Sequence, residues 1–253
     1  MALIEVDRIS KSFWIPSVRR DTVREHAAAL FRPRRFERLS ALDDVSFELR
    51  PGETLGIMGA NGSGKSTLLK IVCGVYRPDR GRVTTRAMIT PILELGVGWN
   101  PELDAVDNVF LIGSVMGLSL REIRRDMDEI FAFAELQQFA NLKLKHYSSG
   151  MGARLAYAVA FQAVREVLVL DEVFAVGDVG FRKRCEERYR QLRSRGHAVL
   201  LVSHDPRAMS LFCDRALLIE RGRLVAWGEG KEIAERYVAA LTRPQVPSGP
   251  HLT

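Results

Sequence analysis

Nine consecutive residues, Gly59-Ala60-Asn61-Gly62-Ser63-Gly64-Lys65-Ser66-Thr67, carry the densest chemistry in the chain. They fit the P-loop pattern in full. Its glycines let backbone N–H groups turn inward around phosphate oxygens. The helix that such a loop opens adds the partial positive charge of its N-terminus. Lys65 supplies a point charge for β and γ phosphates, and Ser66 offers a hydroxyl to Mg²⁺. The motif needs a strand before it and a helix after it. The apolar run 54–58 and the helical spacing of 65–73 supply both.

A second centre lies at Val167-Leu168-Val169-Leu170-Asp171-Glu172, an apolar strand ending in two acids. Open α/β sheets bind ligands at the carboxyl ends of their strands, so Asp171 is expected beside the metal ion. Glu172 is then placed to polarise an attacking water. A third apolar run ends in Ser203-His204-Asp205. A strand-end histidine taken alone is more often structural, but beside the two centres above His204 is expected to hydrogen-bond a γ-phosphate or hold that water.

These groups need a scaffold. Runs 167–170 and 198–202 are short and continuously apolar, as central parallel strands buried on both faces are. Residues 3–6 and 45–49 read as further strands, 88–93 as another, and 216–220 with 223–225 as a hairpin around Arg221-Gly222. Helical spacing is expected over 122–139, over the small and apolar stretch 152–163, and over 233–241. Strands alternating with helices imply a parallel sheet flanked by helices. A mainly helical stretch from about 100 to 163 interrupts it as a subdomain, so the expected domain is 1–242. The tail 243–253 carries three prolines and a glycine and is expected to be disordered.

The chain has 253 residues, 47% apolar and 27% charged, with a net charge of +6. This is ordinary globular composition. The basic excess suits an anionic partner: nucleotide, nucleic acid or acidic lipid. It is concentrated in a segment of about 15–40, where seven arginines face three acids from Pro16 to Ser40, a local +4. That segment reads either as a solvated hairpin loop or as an element facing a membrane or partner. Cys73, Cys185 and Cys213 are widely spaced, which disfavours disulfide and metal readings. The N-terminus has no signal-peptide pattern, and no run approaches ~18 apolar residues. A transport role would therefore need a pore from another polypeptide.

Tyr147-Ser148-Ser149-Gly150-Met151 resembles the LSGGQ signature of ABC ATPases, in register with the three centres above. Ser148 and Gly150 match; Ser149 and Met151 depart from the usual glycine and glutamine. A hydroxyl and backbone N–H groups at a helix start still bind phosphate. The resemblance covers about 3–241. It implies an α/β fold: a P-loop NTPase (RecA-like) core with an antiparallel β subdomain and an inserted α-helical subdomain, the ABC ATPase fold. It implies ATP and Mg²⁺, and a head-to-tail homodimer in which residues 147–151 act on nucleotide held by the other protomer. It also implies Asp178 in a D-loop contacting the opposite site, and an aromatic near the first strand, Phe13 or Trp14, stacked on adenine. The usual Q-loop glutamine is missing, and Glu94 is the nearest polar candidate for that metal-ligand place.

Segments 147–160, 171–185 and 93–109, with the basic insertion before 41–47, resemble the nucleotide-binding subunits of polysaccharide exporters. Those serve O-antigen, teichoic acid, capsule or galactan systems. The resemblance implies separate transmembrane permease subunits, a lipid-linked glycan reached through the permease, and a peripheral place on the cytoplasmic face of the bacterial inner membrane. No nucleic acid is expected as partner. Some long relatives carry an extra C-terminal carbohydrate-binding domain, which is not expected here. The rivals are an ABC ATPase energising another transport substrate, importers included, and one acting on nucleic acid or ribosomes. Trp99, beside Gly96 and Gly98, is expected to be exposed and to touch the permease or a lipid head group.

Overall fold

Strands Thr54–Met58 (β3), Val167–Asp171 (β6) and Ala198–Val202 (β7) are nearly all apolar, and each is buried along almost its whole length. They form the centre of a six-stranded sheet in the order β5-β6-β7-β3-β8-β9. Its other members are Ile89–Ile92 (β5), Arg215–Glu220 (β8) and Arg223–Glu229 (β9). All neighbours run parallel except the closing β8–β9 hairpin. A three-stranded antiparallel sheet lies against it, in the order β2-β1-β4, from Ile4–Pro16 (β1), Phe36–Leu49 (β2) and Arg80–Thr85 (β4). This computed structural model describes residues 1–16, 36–92, 98–171 and 178–242.

Successive strand side chains point to opposite faces, and the sheet uses both. Val167 and Val169 join one core, with Leu55, Ile57, Leu200, helix Lys65–Val72 (α1) and the antiparallel sheet. Leu168 and Leu170 join the other, with Leu201, Leu218 and residues of the helices beyond. Those helices are Ser149–Gln162 (α4), Val179–Ser194 (α5), Pro206–Phe212 (α6) and Gly230–Thr242 (α7). A third core forms where Ala105–Val115 (α2) and Leu120–Ala134 (α3) pack on α4. Helix α4 serves two cores at once: Tyr157, Ala160 and Phe161 face the sheet, while Leu155, Ala158 and Val159 face α2 and α3.

Three expectations need correction. The helix expected over 122–139 starts at Leu120 and ends at Ala134. Apolar spacing continues beyond that point, but Glu135 turns left-handed at φ 58° and closes the helix, and Gln137–Phe139 forms a separate 3-10 turn. The basic insertion is shorter than 15–40. Ile15 and Pro16 pair with Glu37 and Phe36, in a register that runs unbroken from Ser12 after three irregularities nearer the start of β1. Trp99 is half-buried, because its ring packs against the α2–α4 core. Residues 17–35 and the tail 243–253 lie outside the described residues.

Candidate functional site

Because β3, β6 and β7 are adjacent and parallel, their carboxyl ends share one edge. Gly59 follows β3 there, Asp171 ends β6 opposite Val202, and Ser203-His204 follows β7. The glycine-rich loop crosses this edge and becomes α1. Gly64 caps that helix at φ 109°, a backbone region L side chains rarely adopt. A Cβ there would also stand 2.5 Å from the Ala41 carbonyl oxygen. Glycine is thus required twice over, by dihedral and by space.

Lys65 is 7% exposed, and its Nζ donates to the carbonyls of Gly59 (2.7 Å) and Ala60 (2.9 Å). The ammonium therefore lies across the loop. The Ser63 hydroxyl is buried inside the loop and has no hydrogen-bond partner among the described residues, a polar atom left to be satisfied by something else. A cavity of about 600 Å³ opens over the loop. Asn61, Gly62, Gly64, Lys65, Ser66 and Thr67 line it, with Asp171 on one side and Phe13 on another. Leu39, Ser40 and Ala41 of β2 complete the wall. Phe13 is held by an edge-to-face contact with Tyr76 (centroids 5.7 Å apart) and by the Lys11 ammonium 5.7 Å from its ring centre. Trp14 is 68% exposed and does not line the cavity, because the strand turns it to the other face.

The Ser66 hydroxyl and the Asp171 carboxylate are hard oxygen donors on one cavity, and no thiol or imidazole stands among the described lining residues. That donor set fits Mg²⁺, which takes a few protein oxygens and completes its shell with phosphate and water. His204 is exposed at the end of β7, beside β6 but outside the cavity lining. Glu172 and Glu94 lie outside the described residues.

The pentapeptide stands elsewhere. Ser148 caps α4, its Oγ accepting from the Met151 N–H at 3.2 Å. Ser149 and Gly150 are exposed in the first turn. The Tyr147 hydroxyl donates to the Phe139 carbonyl at 2.8 Å, and burial pushes its pKa up to about 12, so it stays a neutral donor. None of residues 147–151 lines the cavity of the same chain. Asp178 caps α5, accepting from the Phe181 N–H at 2.9 Å, the leading reason its carboxyl is held below the usual range. Asp178 also pairs with Arg154 of α4. Arg154 and its second partner, Glu135, escaped sequence reading, because Glu135 and Asp178 lie 19 and 24 residues from Arg154 and meet it only through packing.

Residues 42–175 match the ABC transporter family. Over 84% of its length the chain is 39% identical to the O-antigen export system ATP-binding protein RfbB of Klebsiella pneumoniae, covering 89% of that protein. It is 42% identical over 78% of its length to the ABC transporter protein AbcA of Aeromonas salmonicida, whose length it spans to 64%. A teichoic acids export ATP-binding protein, TagH of Bacillus anthracis, is 35% identical over 82% of this chain, which spans 38% of that relative. Among solved structures, the ATP-binding subunit of an ABC transporter superposes with a TM-score of 0.74, 93% coverage of both chains and 23% identity, a likeness of fold. Among the described residues no helix is long and apolar enough to cross a membrane.

Proposed function

The chain belongs to the ABC transporter family of ATPases, and we propose that it is the ATP-hydrolysing subunit of an exporter that moves a lipid-linked polysaccharide across the cytoplasmic membrane. One conjunction carries this reading. A phosphate cradle and its strand-end acid share a cavity in a chain that is 39% identical to an O-antigen export ATP-binding protein.

The triphosphate lies along the loop, its oxygens taking the inward N–H groups and the Lys65 ammonium. Phe13 offers its ring face to adenine. Ser66 and Asp171 would hold Mg²⁺, with Glu94 as a further oxygen ligand; when bound, such an ion would supply positive charge against the phosphates. Glu172 accepts a proton from the attacking water as the water oxygen bonds to the γ-phosphorus and the bridge to the β-phosphate breaks. His204 holds the water or the γ-phosphate at the neighbouring strand end.

The exposed start of α4 points to a second copy. Ser148 and Gly150 present a helix N-terminus that no phosphate of the same chain can reach from its cavity, so Tyr147 to Met151 address nucleotide on the partner protomer. Two chains enclose two ATP head to tail, with Asp178 beside the opposite site. Separate permease subunits supply the membrane path, and the ATPase sits peripherally on the cytoplasmic face of the bacterial inner membrane.

Deleting the gene tests this. A lipid-linked glycan should accumulate inside the cell, and the wild-type gene should restore export while a Glu172→Gln version should not. Purified E172Q should lose turnover yet dimerise with ATP, measured by size exclusion. Retained turnover would contradict the role of Glu172. An unchanged glycan pool, with salt-sensitive RNA or DNA binding, would overturn the export reading.

A further inference from the structure

Arg154 lies six residues after the Ser148 cap, about 9 Å along α4 at the helical rise. Its guanidinium reaches two acids on two other elements. Nη1 donates to Glu135 Oε2 at 2.8 Å, and Glu135 is the residue that closes α3. Nη2 donates to Asp178, the residue that opens α5. The guanidinium carbon lies 5.4 Å from the ring centre of Phe181, which is fully buried in the core beneath. Arg184 closes the arrangement, pairing with Glu135 and standing 5.7 Å from the same ring. The Arg154 side chain is 21% exposed, so these contacts are partly shielded from solvent.

Three independent constraints thus fix one planar group: two carboxylates and an aromatic face. Arginine can satisfy all three, because its fork presents donors in fixed directions and its plane stacks. Lysine, a point charge on a flexible stem, cannot hold both acids and the ring face in that geometry.

The geometry assigns Arg154 as a positioning residue that locks the start of α4 to Asp178, so that both are presented to the partner's nucleotide as one unit. This rests on the two-protomer reading above. The argument is spatial. Arg154 touches neither the loop nor the cavity, so ATP binding to a single chain does not pass through it. The Ser148 turn and Asp178 belong to different elements. Deeper along the helices α4 and α5 also meet through Tyr157 with Phe181 and through Gln162 with Arg188, whereas Asp178 itself is tied to α4 by this guanidinium. Freeing it loosens the Asp178 end relative to the Ser148 turn while the deeper contacts keep the two helices packed. That loosening harms only the step in which both must meet the second chain.

Three measurements on the purified full chain separate the possibilities: affinity for a fluorescent ATP analogue at low protein concentration, ATPase rate against protein concentration, and thermal midpoint. For Arg154→Ala the analogue should bind within about two-fold of wild type, while the maximal rate falls about ten-fold and half-maximal turnover needs more protein. Arg154→Lys should recover only part of the rate. Glu135→Gln should reproduce part of the defect, and the R154A/E135Q pair should be no worse than R154A alone, since both break one network. A lowered thermal midpoint with an unchanged concentration dependence and rate would overturn the proposal and leave Arg154 structural. If wild-type turnover per chain did not rise with protein concentration, the two-protomer reading itself would fall, and this assignment with it.

Discussion

At the scale of single residues the cavity makes a choice that the sequence leaves open. Phe13 and Trp14 are adjacent aromatics, but strand alternation sends only Phe13 to the cavity wall. Stacking of a base on an aromatic ring contributes about 1–3 kcal/mol. Phe13→Ala should therefore raise the ATP KM about ten-fold, whereas Trp14→Ala should leave it within two-fold; steady-state kinetics of the pair decides. The reverse ranking would mean that β1 pairs one residue out of register. The loop itself was legible, because all its chemistry lies within nine consecutive residues and its conformational demand is written as glycine. Arg154 was not, since its meaning depends on two acids brought to it from other helices.

At the scale of elements, α3 shows how a helix start stores acid sensitivity. Ser119 accepts from the Glu122 N–H at 3.2 Å, and Glu122 accepts in return from the Ser119 N–H at 2.8 Å, a closed capping box. That backbone bond, then the Ser119 hydroxyl and Arg165, lower the Glu122 carboxyl from 4.5 to about 2. A carboxylate depressed by folding adds stability above its unfolded pKa and loses it as pH falls through the folded value. The thermal midpoint of wild type should thus exceed that of Glu122→Gln by a constant margin above pH 5. The margin should shrink between pH 4.5 and about 2. A margin independent of pH would show that the charge contributes nothing. The start of this helix was readable to within two residues from its spacing. Its end was not, because the apolar period runs on to Phe139 while the backbone turns left-handed at Glu135.

At the scale of the whole molecule the three cores are unequal. The two that sandwich the parallel sheet share strands β3, β6 and β7, so neither can open without the other. The third belongs to α2, α3 and part of α4, and lies off the sheet, meeting the core beneath it through α4 and the partly buried Met116 and Phe133. Local opening follows such divisions. Amide exchange should be slowest in β3, β6 and β7 and faster across 105–115 and 120–134; mass spectrometry of exchanged peptides reads this directly. Uniform protection would argue for a single cooperative unit. The alternation of sheet and helix was foreseeable from apolar runs. Trp99 was misjudged because its glycine neighbours suggest exposure, and nothing local reveals that a helical face waits for its ring.

Strand β6 has one further consequence. Both of its faces are apolar, so the usual contrast between a wet and a dry side cannot tell the strand how far to slide along β5 and β7. Its polar terminus can. Asp171 must emerge at the open edge, because one step inward would bury an unpaired carboxylate among leucines and valines. The acid proposed for the metal site is also the bookmark that holds the strand to its place. A chain misaligned at this position is penalised in folding, and on the proposed role of Asp171 the same displacement would silence turnover.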